Sequence, residues 1–118
     1  MGELIEFKKR KEPMNDVVQD IFAEMRVFTY KKLLPRGISQ SLVDGFLADF
    51  EPILISMIPP PFMLLKIDES DPNYHAHMEI ADQAQVQIND YVLKVIGTTF
   101  HRELRHFIEE QIRQAKGT

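Results

Sequence analysis

Apolar positions recur at intervals of three and four over most of this chain, the spacing that gathers them on one side of an α-helix. The first run is Val18, Ile21, Phe22, Met25, Phe28 and Leu33. Asn15 offers an N-cap side chain ahead of it and Pro35-Arg36-Gly37 combines two helix breakers behind it, so a helix is predicted that ends near Leu34. The second run is Leu42, Val43, Phe46, Leu47, Phe50, Ile53, Leu54, Met57 and Ile58, with Ser39 or Ser41 as its cap. Pro52 falls inside it. The apolar positions on either side of Pro52 keep one phase, and Pro52 and Gly45 both project opposite them. The expectation is one helix kinked at Pro52 with the ring on its solvent side; a break at Phe50-Glu51, with Pro52 as the first residue of a new helix, is the alternative.

Pro59, Pro60 and Pro61 must run extended, because each ring fixes φ and each disfavours helix in the residue before it. The segment from Phe62 to Ile67 is then short, apolar and bounded by Asp68, Glu69 and Asp71, which reads as a strand or a buried extended segment. Its partner would be Leu4 to Phe7, or the same segment in a second copy. Asp71 before Pro72 reads as an N-cap with proline in the first turn. Tyr74, Met78, Ala81, Ala84, Ile88, Val92 and Val95 follow as a third stripe reaching Ile96. Phe100, Leu104, Phe107, Ile108 and Gln111 form a fourth, rotated by about a third of a turn. Gly97 between them predicts a break or bend, with Thr98 or Thr99 as a new cap, although one long helix changing partners would show the same pattern.

These elements give a mainly α fold: a single four-helix domain over residues 14–118, preceded by a basic arm at residues 1–13 that is flexible or strand-forming. No internal repeat or heptad run of coiled-coil length stands out.

Composition changes the picture by exclusion. The 118 residues contain no cysteine, which removes disulfides, thiolate metal sites and a cysteine nucleophile together. The formal charge is −4, against a generally basic nucleic-acid binder. Charge is segregated: residues 1–36 hold eight basic and six acidic groups, residues 37–90 one and nine, residues 91–118 five and three. The N-terminus carries acidic residues where a secretory signal would be positive. The most apolar stretch, residues 53–65, is short and broken by prolines, so no membrane span is expected and the chain reads as cytoplasmic.

Candidate chemistry is sparse. Glu103 and His106 make one Glu-x-x-His unit, which two-metal carboxylate bundles use twice, and His75 and Glu79 are spaced i,i+4; a metal-dependent enzyme built on these four is one reading. The second copy of the unit is missing, and no motif positions a nucleophile, a general base or a phosphate. No cofactor is expected. Lys8, Lys9, Arg10 and Lys11 on the arm, with Arg102, Arg105 and Arg113 on the last helix, could meet a nucleic-acid backbone, but Glu109 lies four residues from both Arg105 and Arg113 and can partly neutralise the strip. The favoured reading is a non-catalytic protein-interaction or regulatory protein, homodimeric. Its expected binding surface is the rigid apolar connection Pro59, Pro60, Pro61, Phe62 and Met63.

Overall fold

In the computed structural model, which describes residues 4–59 and 67–117, three α-helices carry the fold: α1 (Val18–Leu33), α2 (Gln40–Ser56) and α3 (Tyr74–Gly117). The four-helix expectation is corrected at Gly97, where α3 runs on without a break. A glycine inside a helix costs only about 1 kcal/mol, and the two stripes flanking this one belong to a single 44-residue helix that changes what it packs against.

α1 begins at Val18, the first residue of its apolar run, but two residues later than an Asn15 cap would place it: Asn15 lies inside a single 3-10 turn, Met14–Asp16, and the N-cap position falls to Val17 with no side-chain cap bond. Its end at Leu33 matches the expectation; a second short turn, Leu34–Arg36, leads to Gly37, whose φ of 87° is the left-handed conformation glycine tolerates best. Ser39 caps α2, its Oγ accepting the Leu42 N–H at 3.3 Å. Pro52 lies inside α2 on its exposed side, and the helix continues past it to Ser56. At the start of α3, the Asp71 carboxylate accepts the Asn73 N–H at 2.8 Å and meets His77 Nδ1 at 2.9 Å.

No strand occurs among the described residues. Residues 4–11 have neither helix nor strand, and of the segment from Phe62 to Ile67 only Ile67 is described, outside regular structure. The arm is nevertheless anchored. Ile5 and Phe7 pack against the core. Asn89, fully buried on α3, donates from Nδ2 to the Arg10 carbonyl at 2.7 Å and the Glu12 carbonyl at 2.8 Å, while its Oδ1 accepts from Gln85 Nε2 at 2.9 Å. Arg10 then reaches α1, Nη2 lying 3.1 Å from Glu24 Oε2.

The core joins Met14, Ile21, Phe22, Met25 and Leu33 to Val43, Leu47, Phe50 and Leu54 and to Leu93, Ile96, Phe100 and Leu104. Phe100 is its hub, with ring centroids 5.2 Å from Phe50, 5.9 Å from Phe46 and 6.2 Å from Phe28, at the tilted or edge-on angles aromatic rings prefer. The buried face of α3 therefore runs Asn89, Leu93, Ile96, Phe100, Leu104. It is rotated by about 100° from the stripe Tyr74 to Val95 that the spacing marks most strongly. Ile88 and Val92 are only half-buried and Val95 is exposed. The molecule measures 70 × 24 × 17 Å, its long dimension set by α3.

Candidate interaction groove

Past Leu104, α3 outruns the end of the core and, with α2, walls a groove of about 420 Å³. Its floor comes from Phe46, Phe50 and Phe107, the Phe46 and Phe107 centroids lying 4.9 Å apart. The apolar spacing that builds the two helices also builds this floor, since each ring belongs to a buried or half-buried stripe. Ile53 extends it. Above stand four carboxylates, Asp49, Glu103, Glu109 and Glu110, together with His106 and Arg113. The rim is thus predominantly acidic over an aromatic base.

Several rim carboxylates are held sideways along α3. Arg113 Nη1 donates to Glu110 Oε2 at 2.7 Å, Arg105 Nε lies 3.9 Å from Glu109, and Arg102 Nε lies 3.7 Å from Glu103. These exposed pairs contribute little to stability but fix the carboxylates' directions, and they engage the cations expected to meet nucleic acid. Arg10 is similarly drawn in against Glu24, whereas Lys8, Lys9 and Lys11 remain at the surface.

Other expected site residues are dispersed. Glu103 and His106 line the groove, but His75 and Glu79 are on the far half of the same helix: Glu79 and Glu103, 24 positions apart, are separated by about 36 Å along the axis. One continuous helix cannot bring them together. Among the described residues no group of three or more His, Asp or Glu side chains is placed to hold a metal ion. Of the expected partner-binding connection only Pro59, half-buried, is described; Pro60, Pro61, Phe62 and Met63 lie outside the described residues. Asp49 and Glu110 carry no sequence signal, while Phe46 and Phe107 were visible only as members of core stripes.

Two further polar links shape the body. The Tyr30 hydroxyl donates to Asp44 Oδ1, tying α1 to α2, and this bond holds the phenol above its usual pKa of 10.0. The Asp71 carboxyl lies below its usual 3.8, chiefly because it accepts the Asn73 N–H; desolvation opposes this, and the hydrogen bond and charge of His77 lower it further. A larger hollow of about 630 Å³ lies between the arm and α3, bordered by Leu4, Phe7, Leu93, Lys94 and Gly97. Among the described residues no helix is long and apolar enough to cross a membrane. Comparison with protein-family models, curated proteins and solved structures finds no match for this chain.

Proposed function

We propose that this chain is a non-catalytic interaction protein, regulatory in role and homodimeric, whose α2/α3 groove receives a basic, amphipathic segment of a partner protein. The observation that carries the reading is the order of groups in the groove: aromatic hydrocarbon at the base, ionisable groups exposed on the rim, carboxylates outnumbering cations. An apolar floor supplies most of the affinity of such an interface, and the charged rim supplies partner choice and encounter rate. A segment with apolar residues on one face and lysine or arginine beside them matches both layers.

The test uses a helical peptide of leucine and lysine as probe and one of leucine and glutamate as its counterpart, each titrated against the chain by fluorescence anisotropy. The basic peptide is expected to bind, weakening as salt is raised. The double reversal Asp49→Lys and Glu103→Lys, at two surface positions, should weaken it by tenfold or more. Equal binding of both peptides, or affinity untouched by the reversal, would refute the groove.

A further inference from the structure

We infer that Asp49 is the specificity-determining residue of the groove: its carboxylate takes the cation of the docked segment, while the three carboxylates of the opposite wall stay with their own arginines. The inference rests on the groove reading above and adds where in the groove charge is read. The two walls differ in their charge. α2 contains Asp44, Asp49 and Glu51 but no lysine or arginine in its 17 residues, whereas α3 from Arg102 onward mixes both signs. A carboxylate on α2 therefore has no cation of its own helix three or four positions away, the spacing at which helix neighbours meet.

The geometry keeps the same division. On α3, Glu103 lies 3.7 Å from Arg102 Nε and Glu109 lies 3.9 Å from Arg105 Nε, while Glu110 accepts from Arg113 Nη1 at 2.7 Å and from Gln114 Nε2 at 3.3 Å. An incoming lysine reaches one of these only by displacing an arginine, which exchanges one exposed pair for another at little gain. Asp44 already accepts from the Tyr30 hydroxyl. Asp49 is exposed, and no hydrogen bond or ion pair joins it to another of the described residues.

Position supplies the rest of the argument. Asp49 stands three residues after Phe46 and four before Ile53, so it shares a ridge of α2 with two apolar groups of the groove. A cation paired with it is flanked by hydrocarbon that the docked segment also covers. Attraction that is weak at an open surface strengthens as water is thinned around the pair. On the other flank Arg113 and His106 stand beside the paired carboxylates, and a cation there gains little. The partner so defined is an amphipathic basic helix. Its lysine or arginine lies three or four residues from the apolar side chain seated on the floor, on the flank turned to α2.

The test is a set of double-mutant cycles by fluorescence anisotropy, with the leucine and lysine peptide as probe and each lysine replaced in turn by glutamine. Asp49→Asn should weaken binding of the full peptide by fivefold or more, and by less than twofold once one particular lysine is gone. Glu103→Gln, Glu109→Gln and Glu110→Gln should couple to no lysine by more than twofold. Glu51→Gln changes the net charge equally but does not line the groove, and should leave affinity within twofold. Helical circular dichroism and melting temperature should be unchanged in every variant. Coupling of a lysine to an α3 carboxylate in place of Asp49 overturns the assignment. So does an equal loss for Asp49→Asn and Glu51→Gln, the signature of attraction by overall charge; both results leave the groove reading standing. A peptide that does not bind the unaltered chain overturns that reading and this inference together.

Discussion

Asn89 has the most unusual environment of any single residue. It is the one buried side-chain amide among the described residues, and all three of its hydrogen bonds are short and directed. Asn89→Ala removes two donors from the carbonyls of Arg10 and Glu12, and an interior polar group left without its partner costs about 1–3 kcal/mol. Chemical denaturation should register that loss, and amide exchange should accelerate in residues 4–12 before it does in α1. Exchange spread evenly over the chain would show that the amide is not what fastens the arm. Gly97 makes the opposite forecast. A Cβ there would lie 3.8 Å from the Ile5 carbonyl oxygen and 3.9 Å from the Phe7 ring, ordinary contact distances. Gly97→Ala should therefore stabilise the chain by about 0.5–1 kcal/mol, seen as a higher melting temperature. A lower one would return Gly97 to the role of a helix break. The spacing of apolar residues could reveal neither point: it counts Asn89 as one polar position beside a stripe and Gly97 as punctuation, and only the approach of the arm decides both.

Elements were legible in proportion to how much of their packing is local. α1 and α2 follow their stripes, and the Ser39 cap and the stop before Gly37 are short-range chemistry that any chain with these residues would use. α3 was harder, because its strongest stripe does not face the core. Spacing can show that Ile88, Val92 and Val95 share a side, but the partner of that side depends on where two other helices end. The groove was hidden for a related reason: Phe46 and Phe107 obey core spacing, and their partial exposure follows from α3 extending past Leu104. The beginning of α3 allows a pH prediction. Asp71 accepts the Asn73 N–H and faces His77, so its folded pKa is depressed, and its contribution is complete above the ordinary 3.8 and lost as pH falls through the lower folded value. Acidification should thus fray residues 74–80 earlier than the rest of α3. Asp71→Asn, which keeps a capping oxygen, should flatten that dependence in carboxyl and amide NMR titrations; an unaltered profile would assign it to another group.

Viewed as one object, the molecule is a long helix clasped near its middle by two short helices and by its own N-terminal arm. Two short helices and half of a third make a small core, and the arm closes one flank of it: Ile5 and Phe7 add hydrocarbon, Asn89 holds two of the arm's carbonyls, and Arg10 links the arm to Glu24 of α1. Half-burying an Ile and a Phe is worth about 1 kcal/mol each, and the two hydrogen bonds add about 1 kcal/mol apiece. Set against the 5–15 kcal/mol of a typical domain, a total of about 3–4 kcal/mol is too large for an appendage. Removing residues 1–12 should accordingly shift the urea midpoint of the whole chain and loosen α1 and α3 together, because the arm touches both. Such coupling would be visible as one cooperative transition displaced to lower denaturant, with a smaller m-value because less surface is hidden in the shortened native state. A truncated chain that unfolds at the original midpoint would mean that the contacts with Asn89 and Glu24 contribute nothing net, and that α1, α2 and the middle of α3 form a sufficient core by themselves.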